Sequence, residues 1–298
     1  MPKASPKRKA GLLRTARYLL EYAAFRLVGL LVAILPIEMA SGLMGRLWRM
    51  AAPSMHRHPR ALAHLSAAFP ERSREDIEAI AADMWEGLGR TFAESFMIDR
   101  IVRAGRVSTD VQALLEAVRL DGRGAIFVSL HTGNFELGIV PTLEAGIKCA
   151  GVYQRIRNPF VDRYSVKMRR SRYPRGMFAR DPHVGRLFLR IVRDGGAVAM
   201  LADLRDRRGV SVPFFVRPAP STPFPAFLAR TTGAPIIIAR VVRLPGVRFR
   251  IEAETYRVPV TGDREADVLE GTAAIQARFE AWIRENPSQW MWAHRRWG

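Results

Sequence analysis

His131 and Glu136 close the segment His131-Thr132-Gly133-Asn134-Phe135-Glu136, the only place in the 298 residues where a histidine precedes a carboxylate by five positions. A carboxylate that accepts a hydrogen bond from one ring nitrogen of an imidazole leaves the other nitrogen free to take a proton, which makes such a pair a general base. The same residues equally suit a loop histidine that merely caps a helix. Within one continuous helix, residues five apart do not share a face. His131 is therefore expected in a loop, with Gly133 or Asn134 near a helix cap and Glu136 in the first turn. Unpaired N–H groups at that helix start would be available to a developing oxyanion.

The elements around this pair decide whether it can be a site. Residues 124–130 form a short apolar run after Asp121-Gly122, which reads as a buried strand. A helix is expected at 135–145, a strand at 148–154 and a helix at 158–171. A helix at 184–193, ended by Gly195-Gly196, leads to a strand at 197–201. A helix at 223–232 precedes strands at 236–242 and 247–256, and a last helix covers 266–285. Alternation of this kind predicts an α/β fold, a single mixed sheet covered by helices. His131 then falls beyond the carboxyl end of a strand, where α/β proteins gather ligands. Residues 41–121 read as helical, with Ser73 as an N-cap and Asp76 three positions on.

The N-terminal part differs in composition. Residues 1–60 hold eleven Lys and Arg against two acids, within a chain of net charge +19. Residues 18–40 are mostly apolar, but the cleanest stretch, 27–35, is far short of the roughly 20 residues that a spanning helix needs. Basic residues lie on both sides of it, so charge does not favour moving the rest of the chain across a membrane. The expectation is a membrane-associated N-terminal helical segment over residues 1–45 and an α/β domain over 46–298. A basic solubilising tail and a buried amphipathic helix are the plainer readings of the same residues.

Other chemistries find little support. The single cysteine, Cys149, excludes an internal disulfide and a cysteine-rich zinc site, and its apolar context suggests buried filler. There is no Gly-x-Ser-x-Gly elbow and no Walker phosphate loop. His56, His58 and His64 cluster without acidic or cysteine partners at metal-site spacing. The charge also admits nucleic-acid binding, but no basic recognition helix or basic–aromatic sheet is readable. A catalytically silent lipid-binding module stands as a third reading.

The segment from His131 to Glu136 resembles the H-x4-[DE] block of the glycerolipid acyltransferase superfamily, in the form found in the late acyltransferases of lipid A biosynthesis. Further blocks resemble that family in the same order: Val152-Tyr153 through Asn158-Pro159, Arg169, Met177-Phe178-Ala179-Arg180, Ala199-Met200-Leu201-Ala202-Asp203, Val212-Pro213-Phe214-Phe215, Thr231-Thr232-Gly233-Ala234-Pro235, and Trp290-Met291-Trp292-Ala293-His294-Arg295-Arg296-Trp297. The resemblance covers nearly the whole chain. It departs at Gln154-Arg155-Ile156-Arg157, which is more basic than the pattern, and at Leu204-Arg205-Asp206-Arg207-Arg208, where the pattern has a Gln- or His-containing turn, and both leave the acceptor open among glycolipids and lysolipids.

The resemblance implies transfer of a fatty acyl group from acyl carrier protein to a hydroxyl of a lipid A precursor, at the cytoplasmic face of the inner membrane. It implies His131 as general base and Glu136 as its orienting carboxylate. N–H groups near Gly133 and Asn134, with Arg169, would meet the oxyanion. Asn134, Arg169, Arg180 and Asp203 are the expected substrate-binding residues, the arginines holding anionic groups of the lipid and Asp203 organising the arginines. No metal or cofactor is implied, since a thioester is already activated. An acidic carrier protein suits the basic surface, and nucleic acid is not an expected partner. Trp290, Trp292 and Trp297 are expected either to close the core or to sit at a membrane interface, with packing the preferred reading.

Overall fold

The computed structural model describes residues 6–297; Lys3 and the rest of the first five residues of the basic start lie outside that range. Two helices come first, α1 (Pro6–Ile34) and α2 (Ile37–Ala51), separated at Pro36, where a missing N–H and a fixed φ interrupt the helix. Next come α3 (His58–Ala68), α4 (Arg74–Glu94) and α5 (Ile98–Arg103). The Ser73 hydroxyl caps α4 by accepting from the Asp76 N–H at 3.1 Å, as its position three residues before an acid predicts. The short strand β1 (Val107–Thr109) then interrupts the helical region before α6 (Gln112–Asp121).

The α/β part follows as β2 (Ala125–Ser129), α7 (Val140–Glu144), β3 (Cys149–Tyr153), α8 (Pro159–Arg169), β4 (Met177–Ala179), α9 (Pro182–Arg193) and β5 (Ala197–Leu201). The chain then forms β6 (Val210–Phe214), β7 (Arg217–Ser221), α10 (Phe224–Thr232), β8 (Ile236–Leu244), β9 (Arg248–Tyr256) and α11 (Arg264–Glu285). Seven strands make a mixed sheet in the order β1-β9-β8-β2-β5-β3-β4, parallel except where β8 meets β9, and β6 and β7 form a separate two-stranded ribbon. The expected mixed α/β sheet is present, with its five expected strands. The strands β1 and β4 and the ribbon are additions. Residues 135–145 are not one helix: a single 3-10 turn, Phe135–Leu137, precedes the five-residue α7.

Side chains alternate between the two faces of the sheet, as the two-residue period of a strand requires. Ile126, Val128, Val198, Met200, Ile236 and Ile238 face one core, shared with α3, α4, α9, α10 and α11. Ala125, Phe127, Cys149, Ala197, Ala199 and Ile237 face the other, beneath α6. A third cluster ties Val32 of α1 and Ile37 and Ala40 of α2 to Val241, Phe249 and Ile251 of the sheet. Residue 45, the expected boundary, falls inside α2, where Gly45 packs against Arg90 and Glu86 of α4. No helix among the described residues is long and apolar enough to cross a membrane.

Candidate active site

The parallel pairing of β2 with β5 builds the centre of the site. Ser129 and Leu201, the last residues of these strands, are in register, so the residues two steps beyond each strand end emerge side by side. Those residues are His131 and Asp203. The His131 Nδ1–H donates to Asp203 Oδ1 at 2.8 Å, the carboxylate fixing that tautomer, and the His131 backbone N–H donates to Asp203 Oδ2 at 2.9 Å. The Trp290 indole N–H donates to the same Oδ2 at 2.7 Å. Nε2 of His131 is left as the basic nitrogen.

Asp203 is fully buried. Burial alone would raise its pKa, but the imidazole and the hydrogen bonds from His131 and Trp290 outweigh it and hold the carboxyl below its ordinary value. The His131 ring packs edge-on against Phe135, with centroids 4.8 Å apart, and keeps 15% of its side chain exposed. That exposed edge faces a cleft of about 220 Å³ lined by His131, Gly133 and Phe135, by Met84, Glu86, Leu88 and Arg90 of α4, and by Arg243 of β8.

Glu136 faces elsewhere. Its carboxylate is buried and accepts from Arg169 Nε at 2.9 and 3.0 Å and from an Arg169 terminal nitrogen, with Arg172 4.0 Å away. Burial disfavours the Arg169 cation, but Glu136 overrides it and raises the Arg169 pKa. The expected hydrogen bond between His131 and Glu136 is thus replaced by two separate pairs, His131–Asp203 and Glu136–Arg169. The reason is local. The chain turns through Gly133, at φ +53°, into a single 3-10 turn, and these five residues carry Glu136 away from the imidazole.

Four other expected placements also change. Asp203 organises His131 rather than the arginines. Arg180 pairs with Asp206 at 2.7 Å, is 61% exposed and does not line the cleft at His131. Asn134 is completely buried and gives its amide to Glu94 Oε2 at 3.1 Å. The Gly133 N–H, expected to face an oxyanion, donates to the Gln289 carbonyl at 3.3 Å.

Glu94 and Arg243 carried no local sequence signal. Glu94, fully buried at the end of α4, accepts from both terminal nitrogens of Arg243 at 2.6 and 2.7 Å, from the Ser41 hydroxyl at 2.7 Å and from Asn134. The Thr91 hydroxyl, one turn earlier, donates to the Gly133 carbonyl at 2.8 Å and accepts from Arg243 at 3.1 Å. The loop bearing His131 is therefore clamped on both sides by α4 and β8. A buried Glu three residues from a Thr on a helix reads as ordinary amphipathic sequence until the sheet places Arg243 opposite.

The terminal block completes the site from behind. Trp290 and Trp292 are fully buried and Trp297 nearly so; Trp290 pairs with Thr132 across a β-bridge. Packing, the preferred reading, holds and the membrane-interface reading does not. His64 and His58 are likewise structural, bonding to the Trp292 carbonyl at 3.1 Å and the Trp85 indole at 3.0 Å.

The profile of the bacterial lipid A biosynthesis acyltransferases matches residues 6–298. Relatives include a lipid A biosynthesis lauroyltransferase of Escherichia coli (strain K12), 28% identical over 98% of this chain and 95% of that protein. A lipid A biosynthesis palmitoleoyltransferase of the same organism is 26% identical over 88% of this chain and 86% of that protein. A myristoyltransferase is 25% identical over 88% and 81% respectively.

Proposed function

The chain belongs to the bacterial lipid A biosynthesis acyltransferases, and from that membership we propose that it moves a fatty acyl chain from the thioester of acyl carrier protein to a hydroxyl of a lipid A precursor, with His131 as general base. That it is an O-acyltransferase follows from the family. The donor, the acceptor and the base are this proposal. The observation that carries it is the His131–Asp203 pair at 2.8 Å, whose outer nitrogen faces an open cleft.

In this mechanism Nε2 of His131 removes the proton of the acceptor hydroxyl as its oxygen attacks the thioester carbonyl. Asp203 holds the ring in the productive tautomer and stabilises the imidazolium. The tetrahedral intermediate collapses with expulsion of the carrier thiolate, which takes the proton back from His131. Arg243, in the same cleft, is spent on Glu94 and Thr91 and so braces the residues that hold the loop bearing His131. Glu136 works at one remove, holding Arg169 and so α8 against the loop that bears His131. Leu88, Met84 and Phe135 give the cleft an apolar wall for an acyl chain. The reaction takes place at the cytoplasmic face of the inner membrane, where both the carrier protein and the lipid are within reach.

The test is turnover of acyl carrier protein thioester with a lipid A precursor. His131→Ala is expected to lower kcat by about 10²–10⁴-fold, with an unchanged circular dichroism spectrum and melting temperature. A folded variant that turns over within threefold of wild type removes His131 as the base.

A further inference from the structure

Glycine is the poorest helix former after proline, so one in the middle of a helix calls for a reason. Several helical glycines here have one in close packing. A Cβ at Gly89 of α4 would lie 2.6 Å from the Met44 carbonyl oxygen and 2.7 Å from Trp48. At Gly45 and Gly29 it would lie 2.7 Å from Arg90 and Phe96. Gly87, two residues before Gly89, is different. A Cβ there meets nothing within 4 Å, and α4 runs unbroken from Arg74 to Glu94, so no left-handed turn asks for glycine. Among the helical glycines whose surroundings are described, only Gly87 has no neighbour at that distance.

The space in front of Gly87 belongs to the cleft at His131. α4 lines that cleft between Asp83 and Thr91, and at about 100° per residue Gly87 sits at the middle of the lining arc. Thr91 marks the end nearest the catalytic loop, since its hydroxyl donates to the Gly133 carbonyl at 2.8 Å. Gly87 lies one turn away, roughly 6 Å along the helix axis, with Met84 and Leu88 beside it. The missing side chain widens the cleft at a fixed step from His131.

The charges around the cleft decide what that width is for. Asp83 and Glu86 are ion-paired with Arg49, and Glu86 also with Arg90 at 2.6 Å. Arg243 is spent on Glu94. A charged ligand would have to compete with these pairs for every ionic group of α4 and β8 in the lining. Met84, Leu88 and Phe135 meanwhile present carbon surface to the same cleft. A saturated chain gains free energy by covering that surface and leaves the ion pairs as they are.

We infer that the donor's acyl chain lies along α4 and that Gly87 sets how long a chain the cleft accepts. The inference rests on the acyl-transfer reading above. The thioester carbonyl must sit beside the hydroxyl that Nε2 of His131 deprotonates, so the donor chain is the one whose length is measured from that point. A side chain at position 87 meets it about one helical turn from Thr91 and shortens what fits. A methyl group there takes little of the space, and a leucine side chain takes most of it.

The full chain, Gly87→Ala and Gly87→Leu are compared with octanoyl, dodecanoyl and hexadecanoyl acyl carrier protein and one lipid A precursor. Gly87→Ala is expected to melt about 2 °C above wild type, as a helix position with room for a methyl group should. In Gly87→Leu, kcat/KM for the octanoyl donor relative to the longest donor that wild type uses is expected to rise at least about tenfold. Gly87→Ala is expected to shift the same way by less. Chain preference equal to wild type in both variants, whether or not overall turnover falls, overturns the inference. Binding is read apart from turnover with free fatty acids of the same lengths, held below their micelle concentrations. They are expected to raise the melting temperature of wild type in order of length, and the longest is expected to lose that effect in Gly87→Leu. If the fatty acids behave so but no carrier thioester is turned over, the acyl-transfer reading fails and the chain groove stands. If neither turnover nor a length-dependent shift is seen, both fail.

Discussion

Asp203 accepts three hydrogen bonds, two from His131 and one from Trp290, and has no solvent to share them with. Replacing it by Asn keeps the volume but removes the charge that stabilises an imidazolium and the acceptor that fixes the tautomer. Asp203→Asn is expected to lower kcat by on the order of 10³–10⁴-fold, with KM little changed. Glu136→Gln removes the anion from a pair that is mostly buried, leaving Arg169 uncompensated. Its larger effect is on stability, a loss of about 3 kcal/mol in chemical denaturation. If Glu136→Gln instead keeps full stability and loses as much kcat as Asp203→Asn, Glu136 is acting on the chemistry and the division of roles is wrong. Asp203 also gives a pH dependence. Its carboxyl is depressed in the folded state, so the stabilisation it provides is complete above the unfolded carboxylate value, about 4, and is lost as pH falls through the lower folded value. Wild-type stability should therefore fall below about pH 4 more steeply than that of Asp203→Asn, as measured by denaturation midpoints over a pH series. His131 was legible in the sequence because its motif is local. Its partner was not, because 72 positions separate them and only the register of β2 on β5 brings them together.

Among the elements, the short loop between β2 and α7 is tied down by bonds from distant parts of the chain. It is held by Thr91 and Glu94 of α4, which Arg243 of β8 braces in turn, and by the Gln289 carbonyl. At its centre Gly133 adopts φ +53°, and a Cβ there would lie 2.4 Å from the Val241 carbonyl oxygen. Neither the dihedral nor the space suits a side chain. Gly133→Ala should destabilise the protein by more than about 1 kcal/mol and lower turnover by displacing His131. A variant with wild-type melting temperature and turnover would show that the loop can relax. The strands legible in the sequence are those with apolar runs, β2, β3, β5 and β8, and β9, where apolar and polar residues alternate. The three-residue β1 and β4 are too short for a periodic signal. The β6–β7 ribbon carries Pro213, Pro218 and Pro220, which argue against strands in a sheet interior and are tolerated because the ribbon is all edge. The single helix expected over 135–145 failed for the reason the site works: the loop is shaped by long-range bonds from α4 and β8 rather than by local propensity.

At the scale of the whole molecule, the terminal residues 290–297 join layers that are otherwise separate. Trp290 touches Phe214 of the ribbon and bonds to Asp203 at the sheet edge. Trp292 packs on Phe69 beyond the C-terminus of α3 and on Phe215, and bonds to the Pro287 carbonyl at 2.7 Å. Arg296, buried enough to push its pKa down to about 10, reaches the Pro220 carbonyl, Ser221 and Gln276 of α11. Composition made these tryptophans visible and the packing reading reachable, but nothing local to the block identified which layers they join. Removing a buried Trp side chain costs about 3–5 kcal/mol, against a total stability of about 5–15 kcal/mol for a folded domain. Trp292→Ala, which leaves the Asp203 contact alone, should therefore remain folded with a melting temperature lowered by several degrees. Deleting residues 290–298 removes three such side chains and one buried cation. That loss reaches the whole stability of the fold, so the truncated chain should lack a cooperative denaturation transition and a near-ultraviolet dichroism signal. A truncated protein that unfolds cooperatively would mean that the terminal block closes the site without holding the layers together.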